Sequence, residues 1–71
     1  MHRFLVVVER AGANYSAFAP DLPGCIATGD TIEDTRRNMQ EAIELHLQGL
    51  KEDDLPIPDP RSFAEFVEVT S

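Results

Sequence analysis

The sequence has few residues that could stabilise a small fold through a disulfide or a metal site. Cys25 is the only cysteine, so no disulfide can form within the chain, and His2 and His46 are too few and too far apart in sequence for a structural zinc site. Chains below about 70–80 residues usually need such a cross-link or oligomerisation. The 71 residues therefore predict a homo-oligomer, a dimer or tetramer. Cys25 itself is interpreted as a small buried apolar residue rather than an intermolecular bridge.

Long hydrophobic runs are also absent. The apolar run at residues 4–8 is far too short to span a bilayer or to serve as the hydrophobic region of a signal peptide. The sequence therefore predicts a cytoplasmic protein. Its length has room for one domain, so we expect a single domain over residues 1–71 and no separate DNA-binding domain.

Positive charge is scarce, and its deficit is confined to one half of the chain. Six lysines and arginines stand against 13 aspartates and glutamates, which gives a net charge of −7. Residues 1–29 are balanced, so the whole excess lies in residues 30–71. Nucleic-acid binding depends on lysine and arginine displacing counterions from phosphates. This surface is predicted to bind no nucleic acid and to attract a basic protein.

Extended segments dominate the first 29 residues. Residues 4–9 are β-branched and aromatic on both faces, which is typical of a central strand. Turn residues at 11–14 precede a second extended segment at 15–19, which predicts an antiparallel hairpin. The chain then reverses at residues 20–24, where proline and glycine suit the centre of a type II turn. A short third strand at residues 25–28 completes a meander.

A long helix is predicted to begin at Asp30 or Thr31, either of which suits an N-cap with an acid three residues later. At 100° per residue, one stripe of the helix is suited to packing, and its members are Ile32, Met39, Ile43, His46, Leu47 and Leu50. Glu33, Glu41 and Glu44 lie on the opposite, acidic face. Leu45 also falls on this side, either as a singly exposed leucine or as an anchor for a partner.

The chain ends in a stiff spacer and a further strand. Prolines alternate through residues 55–60, which indicates an extended polyproline-like connector. Strand composition returns beyond it, so the predicted order is β-β-β-α-β, an α+β fold with one helix on one face of the sheet. This fourth strand is expected to pair within its own sheet or with another protomer. The candidate residues of the oligomer strand are Phe63, Phe66, Val67 and Val69.

No pattern indicates catalysis, a cofactor or a metal site. Asp21 and Asp30 flank the third strand, but the first suits a turn in which aspartate accepts hydrogen bonds from backbone amides, and the second suits an N-cap. His46 lies on the packing stripe and is interpreted as a core residue. The sequence therefore predicts a protein-binding module and not an enzyme. Its acidic helix face is either a solvated surface or a surface that steers a basic partner.

Residues 15–31, followed by Glu33, Asn38 and residues 41–43, resemble the HicB-like antitoxin family. The resemblance extends over most of the chain. The characteristic turn motif is intact, and its residues are Tyr15, Pro20, Asp21, Leu22, Pro23, Gly24, Cys25, Gly29 and Asp30.

The resemblance implies a partially degraded ribonuclease-H-like fold and a partner of HicA type, a small basic toxin that cleaves mRNA. On this reading the chain is an antitoxin that binds and masks the toxin in a type II toxin–antitoxin system. The strand at residues 4–8 has no carboxylate from which a ribonuclease-H-type metal site could be built. The alternative is an orphan structural or regulatory oligomer that binds another protein or a small ligand between protomers.

Overall fold

A computed structural model describes residues 2–71 and contains a three-stranded antiparallel sheet with one long helix packed on it. The elements are β1 (Val7–Ala11), β2 (Asn14–Phe18), β3 (Ile26–Gly29) and α1 (Ile32–Glu52), and the strands follow one another in the order β1-β2-β3. The predicted three-stranded meander followed by a helix is therefore confirmed.

The β1–β2 hairpin closes through a two-residue loop. Ala11 pairs with Asn14, and Gly12 between them has a φ of +67°, as the first central position of a type II′ turn requires. The strand predicted to start at residue 4 begins only at Val7. Val7 pairs with Phe18, the last residue of β2, and Pro20 then leads the chain into a turn. Residues 2–6, here called the N-terminal segment, lie beyond the end of the partner strand.

The helix begins at the predicted N-cap. The Thr31 side chain accepts a hydrogen bond from the backbone amide of Asp34 at 3.0 Å, and α1 continues from Ile32 to Glu52. The predicted packing stripe is correct from Met39 onward, but Ile32 is wrong because it is 57 % exposed. Thr35, one turn later, is fully buried against the sheet in its place. The first turn of α1 therefore packs against the sheet through the small polar side chain of Thr35 and not through Ile32.

The core is small and lies between α1 and the inner face of the sheet. Its buried apolar residues are Ala17, Ala19, Leu22, Cys25 and Met39. The predicted burial of Cys25 is confirmed, and burial raises the pKa of its thiol. Partly buried apolar side chains from β1, α1 and the N-terminal segment surround this cluster.

The fourth strand predicted from the sequence does not form within a single chain. Helix α1 ends at Glu52, and Asp54 follows with a φ of +54°. Residues 55–71, here called the C-terminal tail, contain neither helix nor strand. A strand requires a partner backbone, and the tail pairs with none of the three strands of the described sheet.

Candidate partner-binding surfaces

The turn motif is built into the core. Three backbone hydrogen bonds close it: Leu22 N donates to Ala19 O at 3.0 Å, Cys25 N donates to Leu22 O at 3.1 Å, and Ala19 N donates to Cys25 O at 3.4 Å. Gly24 has a φ of +82°, as the third position of a type II turn requires, and Pro23 supplies the position before it. Leu22 is fully buried. This part of the motif therefore holds the fold together.

Asp21 lies in the same turn, but its carboxylate binds the C-terminal tail. Oδ2 accepts hydrogen bonds from the backbone amides of Arg61 at 2.9 Å and Ser62 at 2.8 Å, and Oδ1 accepts one from Ser62 Oγ at 2.9 Å. These bonds, those from Ser62 first, hold the pKa of Asp21 below its ordinary value. The sequence correctly indicated amide partners for Asp21 but placed them in the turn itself. They lie about 40 positions away along the chain.

Gly29 lets the helix approach the end of β3. A Cβ added at Gly29 would lie 2.7 Å from the backbone nitrogen of Thr35, closer than real contacts allow. Thr35 Oγ1 donates to Thr31 O at 2.7 Å, and Asn38 Nδ2 donates to Thr28 O at 2.8 Å. The helix is therefore fastened to β3 at its first two turns. Asp30, the alternative N-cap, is exposed.

Tyr15 and His46 occupy structural positions. Tyr15 is half-buried on β2, where it pairs with Arg10 on one side and Gly29 on the other. The guanidinium carbon of Arg10 lies 6.0 Å from the centroid of the Tyr15 ring. His46 is half-buried on α1, as its place on the packing stripe predicted.

The acidic face of α1 is exposed along its length. Glu33 forms an ion pair with Arg36 one turn away, whereas Glu41 and Glu44 form no ion pair among the described residues. Leu45 is 70 % exposed beside them. Glu33 and Glu44 are about 17 Å apart along the axis, from the helical rise of 1.5 Å per residue. Glu41, Glu44 and Leu45 therefore form one compact patch, and Glu33 lies two to three turns away.

Two grooves lie along the N-terminal segment. The first, here called the helix groove, has a volume of about 600 Å³, and its lining includes Phe4, Val6, Ile43 and Leu47. The second, here called the tail groove, has a volume of about 490 Å³ between residues 3–6 and residues 62–64. Both grooves are open to solvent, and both are lined by Arg3.

The predicted oligomer strand lies outside the folded part of the chain. Phe63, Phe66, Val67 and Val69 are each at least 78 % exposed. None of these four side chains is therefore buried within the described chain. Within residues 2–71, no helix has the length and apolar character needed to cross a membrane.

Comparison with known proteins places these features in one family. The family model described as a HicB-like antitoxin of bacterial toxin–antitoxin systems matches residues 4–70. A 14.9 kDa protein of Haemophilus phage HP1, from the rep–hol intergenic region, is 32 % identical over 62 residues, which cover 87 % of this chain and 47 % of that protein. The chain thus spans about half the length of this phage relative.

Two shorter relatives belong to proteins designated UPF0150. One, from Helicobacter pylori, is 45 % identical over 49 residues, 69 % of this chain and 68 % of the relative. The other, from Synechocystis, is 37 % identical over 59 residues, 82 % of this chain and 75 % of the relative.

A solved structure has the same fold. It is a chain of the HicA3 and HicB3 toxin–antitoxin complex, with a TM-score of 0.66 and 24 % sequence identity over 82 % of this chain and 72 % of that chain. The fold similarity agrees with the family match, which extends over nearly all of the described residues. The chain belongs to the family of HicB-like antitoxins of bacterial toxin–antitoxin systems.

Proposed function

We propose that this protein binds and neutralises a small basic toxin of HicA type, a ribonuclease that cleaves mRNA. The observation that carries the proposal is membership of the antitoxin family over residues 4–70. The charge of the chain supports it, because a net charge of −7 complements a basic partner. We also propose that the fold is a partially degraded form of the ribonuclease H fold, without the carboxylates that bind metal ions in that enzyme.

The proposed docking surface is the patch formed by Glu41, Glu44 and Leu45 on α1. The two carboxylates form no ion pair among the described residues, so their charge is available to a partner. Leu45 adds an exposed apolar side chain next to them. Glu33 contributes less, because Arg36 already lies against its carboxylate. Complementary charges of this kind raise the association rate, and salt screens their effect.

Calorimetric titration with a HicA-type toxin tests this surface directly. The variant Glu41→Lys/Glu44→Lys reverses both charges, and we expect its affinity to fall by roughly 100-fold at low salt, because each close pair of unlike charges becomes a pair of like charges. The loss should shrink at high salt. Glu9→Lys/Asp59→Lys is the matched control, since it makes the same change in net charge at two exposed positions away from α1.

A growth assay distinguishes the proposed docking surface from the proposed function. Growth of cells that express the toxin should be restored by the wild-type chain and by the control, but not by the α1 variant. Equal losses in both charge variants would show that only net charge matters and would reject the patch. Failure of the wild-type chain to bind or rescue would reject neutralisation of this toxin class.

A further inference from the structure

Helix α1 covers only part of the inner face of the sheet. Gly29, Thr35 and Asn38 hold its first two turns close to β3, and α1 contacts β3 most extensively and β1 least. A helix that is fixed over β3 leaves the opposite side of the sheet less covered. The N-terminal segment, which precedes β1, therefore lies beside the helix rather than beneath it, and the helix groove separates the two.

The floor of the helix groove is apolar, and both walls contribute to it. Phe4 and Val6 come from the N-terminal segment, and Ile43 and Leu47 lie one turn apart on α1. All four side chains pack against the core but are only partly buried. The volume of about 600 Å³ lies within the range of small-molecule sites, which are mostly apolar with a few polar groups. The floor therefore suits the apolar part of a small ligand.

The helix groove is also elongated. Its wall on α1 extends from Arg36 to Leu47, which is about 17 Å at the helical rise of 1.5 Å per residue. The other wall is the N-terminal segment, where Phe4 and Val6 face the core with the two-residue period of an extended chain. A groove between a helix and an extended segment suits an unbranched alkyl chain better than a bulky ring system.

The rim of the helix groove is basic, although the protein is acidic. Arg3 and Arg36, two of the six lysines and arginines in the chain, both line it, and His2 lies with them, stacked on Phe4 at 6.1 Å between ring centroids. Arg3 forms no ion pair among the described residues. Arg36 pairs with Glu33, but both side chains are at least 64 % exposed, so the pair is weak and a ligand can replace it.

One acid among the described lining residues limits where an anion can lie. Glu44 is eight positions after Arg36 on α1, about 12 Å along the axis. An anionic group at the Arg36 end of the groove keeps its distance from Glu44. The uncharged part of the ligand then extends along the floor toward Leu47. The groove therefore selects a molecule with its negative charge at one end.

We propose that the helix groove binds a free linear alkyl carboxylate. Its carboxylate accepts hydrogen bonds from the guanidinium groups of Arg3 and Arg36, and its alkyl chain lies on the apolar floor. Arginine recognises a carboxylate through two parallel hydrogen bonds, so a cation on the same alkyl chain is excluded. This site does not depend on the proposed binding of a toxin.

An NMR titration of the full chain with dodecanoate, below its critical micelle concentration, tests the site. We expect saturable shifts of the amides of Val6, Ile43 and Leu47. Leu45 is the internal control, since it is 70 % exposed on the outer side of the same helix and would report unspecific adsorption. Dodecyltrimethylammonium has the same alkyl chain with the opposite charge, and butanoate has the same charge with less alkyl surface. Each should bind about 10-fold more weakly or worse.

Two pairs of variants test the basic rim. Arg3→Gln should raise the dissociation constant of dodecanoate by about 10-fold, the loss expected for a hydrogen bond to a charged group. Arg10→Gln, the same change at an exposed position outside the groove, should leave it unchanged. Gln40→Glu places a carboxylate one turn after Arg36, where it competes with the ligand, and should also weaken binding. Gln48→Glu is its control on the outer side of α1. Circular dichroism should show the same helix content in all variants.

Four results would overturn the proposal. One is the absence of saturable binding of dodecanoate. Another is equally tight binding of the cationic amphiphile, which would reduce the effect to apolar adsorption. The third is an equal response to Arg3→Gln and Arg10→Gln. The last is a shift of the groove amides with protein concentration in the absence of ligand, which would mean that a second copy of the chain occupies the groove.

Discussion

The body of the chain, residues 7–52, and its C-terminal tail contain apolar residues in very different surroundings. In the body, Leu22 and Met39 are fully buried, and the glycines and threonines around them have defined structural roles. In the tail, Phe66 is fully exposed although it is the larger side chain. Apolar content alone therefore does not determine burial. The backbone of the body is paired within the sheet and the helix, whereas the backbone of the tail forms neither helix nor strand.

The largest expected effect is the loss of a core side chain from the body. Leu22→Ala removes a fully buried side chain from the turn motif, and we expect the free energy of unfolding to fall by about 2–5 kcal/mol. Urea unfolding at a fixed protein concentration measures it. Leu55→Ala, at a 52 % exposed position in the tail, should change the free energy of unfolding by only about 0.5 kcal/mol or less. Equal effects of the two changes would contradict the contrast between the regions.

The second largest change in stability is expected where α1 contacts β3. Gly29→Ala places a methyl group 2.7 Å from the backbone nitrogen of Thr35, so the helix must shift. We expect destabilisation of about 1–3 kcal/mol, as for overpacking in a core. Gly49→Ala is the control, because nothing lies within 4 Å of its new Cβ. Gly49 lies in the last turn of α1, and Gly49→Ala should stabilise the protein by at most about 0.5–1 kcal/mol. Thermal unfolding should therefore move in opposite directions for the two variants.

A smaller effect is expected at the start of α1. Thr31→Ala removes the side chain that caps the amide of Asp34, which should cost about 1 kcal/mol. Thr70→Ala makes the same chemical change in the tail and should leave the urea midpoint unchanged. An unaltered midpoint for Thr31→Ala would mean that the helix start is fixed by other bonds, those that the side chains of Thr35 and Asn38 donate to backbone carbonyls.

Local sequence patterns were sufficient to predict the elements of the body. Gly12 and Gly24 occupy the turn positions that require positive φ, and Thr31 is the N-cap. The errors occurred where the outcome depends on a distant partner. β1 starts late because β2 ends at Phe18, and Asp21 accepts hydrogen bonds from residues 40 positions away. Neither pairing leaves a periodic or local signal in the sequence.

The fourth strand shows the same limit at the level of the whole molecule. Its composition favours a strand, but composition cannot specify which chain supplies the partner edge. The same limit applies to the acidic face of α1. The helical period correctly predicts that Glu41, Glu44 and Leu45 lie together on an exposed surface. Whether this surface binds a partner depends on a molecule outside the chain.

The smallest effect on stability is expected at Asp21, whose side chain accepts hydrogen bonds that connect the body to the tail. Asp21→Asn leaves one acceptor oxygen where the carboxylate offers two to Arg61 and Ser62. We expect faster hydrogen exchange at these two amides with little change in the stability of the body, because no described residue of the tail belongs to the buried core. Asp59→Asn, nearby in the tail, is the control. Unchanged protection of the Ser62 amide in Asp21→Asn would show that the tail is held by other contacts.

The same link should depend on pH in a defined direction. The pKa of Asp21 in the folded chain is lowered from its ordinary value of 3.8. The contact is therefore fully formed above that value and is lost as the pH falls through the lowered pKa. In the wild type, NMR signals of the Arg61 and Ser62 amides should shift together in this acidic window. In Asp21→Asn the amide shifts should lack this step, since the carboxylate that accepts hydrogen bonds from both amides has been replaced.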